Sequence, residues 1–280
     1  MIINFNGTLA AEQDFCLTVA NRAFKYADGV FETIRYGNSR IVFFEDHYFR
    51  LMADMRILRM EIPMNWSPEY LENEILKTID ANDLTDESAR IRLSVYREGK
   101  GYYTPEESAV SFVIEAENLS SDRYEYDAKG LSIQLFQDFY KSAGSMGNIK
   151  SVNSQIYTVA GIFARENGYD EAMVLNPSRM LLESQSSNVF LFKKDSILTP
   201  SLASGCVKGV LRKNIIDLLK SDGLEVEETD VSRFELLRAD EIWLTNTIRG
   251  IRWVSQYRKR KYESKRAEEY IPKLNAMAGL

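Results

Sequence analysis

Apolar and polar positions alternate through the first forty residues, the period of strands with one face buried. Residues 2–5 run into Asn6-Gly7, a pair that accepts the positive φ of a tight hairpin turn. A second hairpin is expected between residues 30–36 and 40–44, across Gly37-Asn38-Ser39. Over residues 46–60 the period lengthens: Phe49, Leu51, Met52, Met55, Ile57 and Leu58 broadly follow a helical face, with Arg50 near its beginning. Ser67-Pro68 is a cap followed by proline in the first turn, so a second helix should run to about residue 80. Strands are expected again at 89–97 and 109–117, and together these elements make an α+β first domain over residues 1–117.

The pattern turns polar at 118–127, which reads as an interdomain loop, and a second domain spans 128–280. Its expected elements are a strand at 131–137, a helix at 153–166 ended by Asn167-Gly168, and strands at 171–176, 181–183 and 187–192. The run Ser204 to Gly209 leads into an amphipathic helix at 210–221. Ser232-Arg233-Phe234-Glu235 has the spacing of a capping box for a short helix, a strand follows at 241–245, and the tail from Ala267 is helical. No internal repeat is visible.

At 280 residues, 45% hydrophobic and 27% charged, the chain can bury the core of one large domain or two smaller ones. The amino terminus shows neither a signal peptide nor a membrane span, so a cytoplasmic protein is expected. Two distant cysteines, Cys16 and Cys206, give no disulfide framework and no thiolate metal site, and a single histidine, His47, excludes paired-imidazole zinc chemistry; no metal is expected. The net charge of −6 disfavours nucleic acid as a partner. The basic run from Arg249 to Arg266 reads as a solvated strand and turn.

Chemistry concentrates at Gly147-Asn148-Ile149-Lys150-Ser151-Val152-Asn153, a small-residue turn that delivers one lysine ahead of a helix. In a confined site, desolvation and nearby cations lower a lysine's pKa and make it a useful base or nucleophile. Further stretches accompany it: Tyr26 to Arg35, Asp46-His47-Tyr48-Phe49-Arg50-Leu51, Glu183 to Phe190, Gly209-Val210-Leu211-Arg212, and Leu244-Thr245-Asn246-Thr247. This ordered set, covering nearly the whole chain, resembles the class IV aminotransferases. These are fold type IV pyridoxal-phosphate enzymes that include branched-chain aminotransferases, D-amino-acid aminotransferases and 4-amino-4-deoxychorismate lyases.

The resemblance implies a two-domain α+β fold, with a smaller N-terminal domain and a C-terminal pseudo-barrel domain that carries the lysine. It implies that Lys150 holds pyridoxal 5′-phosphate as a Schiff base and, once freed, moves the proton at the substrate α-carbon. By the same likeness Glu183 faces the ring nitrogen, and the phosphate is bound by Arg50, the amides of Val210 and Leu211, and the Thr247 hydroxyl. Leu211 stands where many members have threonine. His47 is assigned a structural role at a helix start. Tyr26 and Phe31 correspond to substrate-pocket residues, although two core aromatics would look the same in the sequence. The tyrosine that follows the motif asparagine in branched-chain enzymes is replaced by Ser154. In the loop Arg97 to Tyr102, Lys100 stands where the lyases carry an arginine, keeping charge but not the bidentate fork. The reading that follows is a transaminase acting on an amino acid, branched-chain substrates included, and a 2-oxo acid, as a homodimer with no membrane or nucleic-acid partner. Two alternatives stand beside it: a 4-amino-4-deoxychorismate lyase, and a catalytically idle relative that keeps the cofactor.

Overall fold

The structure, a computed structural model, describes residues 1–194 and 196–280. The chain packs as two units. One comprises Met1–Arg123, Lys150–Asn153 and Ala278–Leu280; the other comprises Tyr124–Ile149 and Ser154–Met277.

The first unit holds strands β1 (Ile2–Phe5), β2 (Thr8–Ala11), β3 (Gly29–Gly37), β4 (Arg40–Ile41), β5 (Ala89–Arg97) and β6 (Val110–Asn118), and helices α1 (Arg22–Tyr26), α2 (Phe44–Ile57) and α3 (Pro68–Asp80). The strands form one antiparallel sheet in the order β2-β1-β6-β5-β3-β4. Along β5, Ile91, Leu93 and Val95 enter the core while Arg92 and Ser94 stay half-buried between them. Leu71, Ile75 and Ile79, four apart on α3, join the same core with Leu51, Met52 and Met55 of α2. The expected cap at Ser67 is present, its hydroxyl accepting from the Tyr70 amide (3.2 Å).

Two local expectations are corrected. Strand β4 stops at Ile41, because Phe43 adopts a left-handed conformation (φ 54°) that turns the chain into α2 at Phe44. Helix α1 lies within a stretch expected to be strand, started by Asn21, whose side chain accepts from the amides of Ala23 and Phe24.

The strip Lys150–Asn153 packs with the first unit rather than with the domain expected to carry it. The cause is an open strand edge. Strand β3 pairs along its length with β5 on one side, whereas β4 pairs only with Tyr36 and Gly37 on the other. The strip occupies the beginning of that second edge, Gly29 to Phe31: the Phe31 amide donates to the Lys150 carbonyl (2.9 Å) and the Val152 amide to the Gly29 carbonyl (3.0 Å).

The second unit holds β7 (Leu131–Leu135), β8 (Glu171–Leu175), β9 (Met180–Ser184), β10 (Asn188–Lys193), β11 (Ser196–Pro200), β12 (Val226–Thr229), β13 (Val231–Ser232), β14 (Glu241–Asn246), β15 (Gly250–Tyr257) and β16 (Arg260–Lys261). Its helices are α4 (Ser145–Asn148), α5 (Gln155–Glu166), α6 (Val210–Ser221), α7 (Glu235–Arg238) and α8 (Lys265–Ala278). Strands β10, β14, β15, β7, β8 and β9 pair in succession, and β9 returns to β10 through Glu183 and Asn188, closing a barrel. Strands β8, β9 and β10 are buried almost throughout, which fits a barrel packed inside and clad outside. Ala160 and Ala164 of α5 pack beside Ala172 and Val174 of β8.

The capping box expected at Ser232 does not form: Ser232 ends β13, and α7 begins after Phe234 with no side-chain cap. Helix α8 is started instead by buried Glu241, which accepts from the amides of Arg266 (2.9 Å) and Ala267 (2.7 Å). In the basic run, Arg252 pairs with Asp127, Arg260 with Asp240 and Lys265 with Glu263. Among the described residues no helix is long and apolar enough to cross a membrane.

Candidate functional site

The first unit assembles its chemistry on both faces of β3. Glu32 points towards α2, where its carboxylate meets Arg50 (Nε to Oε1, 2.7 Å, with Nη2 on Oε2) and His47 (Nδ1 to Oε2, 2.6 Å). Burial alone would raise the Glu32 pKa, but Arg50 and His47 reverse that and hold it down to about 2. Burial lowers the His47 pKa, with Glu32 opposing. The imidazole is therefore neutral near pH 7, and an ionised Glu32 requires Nδ1 to carry the hydrogen. This confirms His47 as hydrogen-bonded close to a helix start. It also shows Arg50 buried in an ion pair with a glutamate that sequence reasoning had not singled out, although Glu32 stands in a quoted motif.

On the opposite face of the sheet the register sets Phe31 across from Ser94 and Thr33 across from Arg92. The Lys150 ammonium lies 4.2 Å and the Arg92 guanidinium 3.9 Å from the centre of the Phe31 ring. The Lys150 backbone is fixed from both sides: its carbonyl by Phe31, and its amide by buried Asp54 of α2 (2.9 Å to Oδ2). On its other side Gly29 permits the close approach of β5, since a Cβ there would sit 2.8 Å from the Val95 carbonyl. Arg92 was missed in the sequence because an alternating strand makes it look like an ordinary outward residue. Its burial lowers its pKa, and its nearest carboxylate, Glu115, is 3.8 Å away.

Tyr26 and Phe31 are both half-buried and outside the apolar core cluster; Tyr26 meets Tyr103 with ring centres 5.7 Å apart. Lys100 is exposed at a loop tip. That loop is held from beneath by Arg22, whose Nη1 donates to the carbonyls of Tyr102 (2.9 Å) and Gly101 (3.3 Å). Asp28 joins Arg22 to Arg97, and Arg97 spends its terminal nitrogens on the carbonyls of Leu58 and Arg59.

In the second unit the chemistry gathers where the barrel closes. Glu183 is 3% exposed. Its Oε1 accepts from Lys141 Nζ (2.5 Å) and the Tyr157 hydroxyl (2.7 Å), and its Oε2 accepts from the Val207 amide (2.9 Å), with Asn188 Nδ2 at 3.5 Å. Burial and the neighbouring Glu183 charge push the Tyr157 pKa far upward, so its phenol stays a donor. Sequence reasoning missed Tyr157 and Lys141. A signal existed for the first, a tyrosine three residues beyond Ser154 where the expected phenol is lacking; none existed for Lys141.

Asn188 orders the surrounding groups. It pairs with Glu183 on one side and Thr245 on the other, and donates to the Val207 carbonyl (2.9 Å). Its Oδ1 would lie 1.9 Å from a Cβ at residue 209, so any larger residue at the start of α6 would have to displace the Asn188 side chain. Gly209 caps α6 without a side-chain bond, leaving the first amides, those of buried Val210 and Leu211, at the positive end of a twelve-residue helix. Thr247 lies in the turn after β14, its carbonyl accepting from the Tyr124 hydroxyl (2.9 Å).

Comparisons with known proteins bear on the family of the chain and on its fold. Residues 29–257 match the family model described as amino-transferase class IV. A probable branched-chain-amino-acid aminotransferase of Aquifex aeolicus is 29% identical, over 92% of this chain and 84% of that protein. An aminodeoxychorismate lyase of Vibrio harveyi is 26% identical, over 85% of this chain and 86% of that protein. A branched-chain aminotransferase structure from Thermoproteus uzoniensis, determined with norvaline, superposes with a TM-score of 0.88 at 25% identity, covering 100% of this chain and 95% of that one. Both the sequence motifs and the closed barrel thus have one explanation: the chain belongs to the amino-transferase class IV family.

Proposed function

We propose that this enzyme is an aminotransferase that moves an amino group between an amino acid, branched-chain substrates included, and a 2-oxo acid. Pyridoxal 5′-phosphate is the cofactor of this family, and when bound it supplies the aldehyde and the electron sink that transamination needs. The donor set suits it. Lys150 is the amine that would hold it, Glu183 the anion for a protonated ring nitrogen, and Arg50, the Val210 and Leu211 amides and Thr247 the phosphate ligands.

The observation that carries the reading is the fixing of Lys150. With its amide and carbonyl both bonded and Phe31 beneath its ammonium, the side chain is aimed rather than left mobile. A positioned amine of this kind takes the proton from a substrate α-carbon and returns it. Arg92, on the same ring, offers one guanidinium for one substrate carboxylate.

Transamination is favoured over lyase chemistry by the loop that carries Lys100. A lyase must grip the carboxylates of a chorismate-derived ring, yet Arg97 is committed to Asp28 and two backbone carbonyls, and Lys100 offers only an exposed point charge. Family likeness also supports a homodimer, which light scattering would test. The deciding experiment sets a panel of amino donors with 2-oxoglutarate beside an assay of p-aminobenzoate formation. Amino-group exchange should exceed p-aminobenzoate formation; efficient pyruvate release from aminodeoxychorismate with no exchange would establish the lyase instead. Borohydride should fix the cofactor on Lys150, and a reducible adduct persisting in Lys150→Ala would overturn the assignment.

A further inference from the structure

Glu183 has a neighbour that the cofactor reading does not require. Lys141 lies in the loop after β7, its side chain only 10% exposed, and its Nζ is 2.5 Å from Glu183 Oε1. The loop is tied down by the Lys141 amide, which donates to the Leu175 carbonyl (2.9 Å). Tyr157 shares the same oxygen, and the Lys141 ammonium also lies 5.4 Å from the centre of the Tyr157 ring.

A carboxylate has about four acceptor positions. Two are filled at Oε1 and one at Oε2 by the Val207 amide. The remaining Oε2 position is met only by Asn188 at 3.5 Å, and that amide has a better acceptor in the Val207 carbonyl at 2.9 Å. Glu183 is therefore a buried anion with its charge already balanced and one acceptor position to offer.

We propose that Lys141 is a positioning residue that sets the proton affinity of Glu183, weakening its grip on a ring-nitrogen proton and balancing its charge when no cofactor is bound. The inference rests on the aminotransferase reading for its second partner, but not for the Lys141–Glu183 pair. A bare buried carboxylate would hold a pyridinium proton more tightly, because nothing else would compensate its charge. With the ammonium present, the ring nitrogen shares an anion that is already partly neutralised. Tyr157, which cannot ionise here, adds a hydrogen bond without adding charge.

Two measurements on the whole protein test this, neither depending on turnover. The first follows thermal unfolding of the cofactor-free protein against pH. In Lys141→Met, Glu183 is left buried without its cation, a penalty felt only where the carboxylate is ionised. The variant should therefore fall further below wild type at pH 8 than at pH 5. Glu183→Gln in the Lys141→Met background should abolish that pH dependence, and Lys141→Arg should largely restore wild-type behaviour. A loss that is equal at both pH values and survives the second substitution would mean that Lys141 only packs, and the proposal would be overturned.

The second compares binding of pyridoxal phosphate with that of its 1-deaza analogue, which has carbon in place of the ring nitrogen. The preference for the nitrogen-containing ring should rise about tenfold in Lys141→Met, one pH unit of proton affinity being a factor of ten. The pH at which a 15N-labelled ring nitrogen loses its proton should rise in step. An unchanged preference with an unchanged titration would refute the tuning role. Failure of wild type to take up either ring would instead defeat the functional reading and the tuning role together, while the unfolding experiment would still decide whether the ion pair exists.

Discussion

Each unit buries one functional-looking glutamate, and the two are held in different ways. Glu32 takes its partners from a single helix: His47 and Arg50 are three apart, so one turn of α2 presents both. Glu183 takes its partners from four separate segments, namely the loop at Lys141, helix α5 at Tyr157, strand β10 at Asn188 and the loop at Val207. The first arrangement fastens a helix to a sheet through two charge-assisted contacts. The second surrounds an anion with donors of mixed strength and keeps one acceptor position open. A carboxylate paired with a guanidinium is locked in place, whereas one shared among weaker donors can still accept a proton-bearing ligand.

Substitution at the two glutamates should separate these roles. Glu183→Gln should leave the protein folded and able to bind cofactor, while the half-reaction with an amino donor slows by about 10²–10⁴-fold, equivalent to several kcal/mol of lost electrostatic stabilisation. Single-turnover rates equal to wild type would remove Glu183 from the chemistry. Glu32→Gln should do the reverse in kind, lowering stability by about 3–5 kcal/mol, because Arg50 is left as a buried charge without its anion. Denaturant melts measure this directly, and an unaltered midpoint would show that α2 is not fastened through Glu32.

Acid sharpens the contrast more gently. The Glu32 pKa falls from 4.5 to about 2 on folding. A depressed group gives its full stabilisation above the unfolded value and loses it as pH falls towards the folded one. Wild type should therefore lose stability progressively from about pH 4.5 down to about pH 2, and Glu32→Gln should lack that component of the loss. Parallel acid-melt curves for the two proteins would contradict the geometry. The smallest effect is expected at Ser67→Ala, where losing one cap bond costs about 1 kcal/mol and leaves turnover untouched.

That last site was fully legible in the sequence, and the reason extends to the rest of the chain. Ser67-Pro68, the Asn6-Gly7 turn and the amphipathic run of α6 are local signals whose physics acts within a few residues. His47 and Arg50 were legible as one helix turn, but not their partner Glu32, because strand register decides which side chain meets them. The unit that Lys150 packs with was not legible: a length of β3 edge left open by β4 takes up Lys150–Asn153, and no pattern in the strip itself announces that. Lys141 lies 42 residues from Glu183 and Tyr157 lies 26 away, so only the folded barrel brings the three together. Phe43 and Ser232 misled in a simpler way, where a left-handed residue and a strand end overrode the pattern expected there.

The barrel is joined unevenly. Strands β10 and β14 share five paired residues, whereas β9 meets β10 at the single pair Glu183 and Asn188, beside one turn bond from the Ser184 amide to the Ser187 carbonyl. Parting a seam of one pair breaks far fewer bonds than unzipping a ladder, so amide exchange should be fastest there among the ring strands. The same two residues hold the carboxylate and the glycine-tight start of α6. Local opening of this seam should therefore be felt at both the carboxylate and the helix start, two features that hang on one pair of side chains.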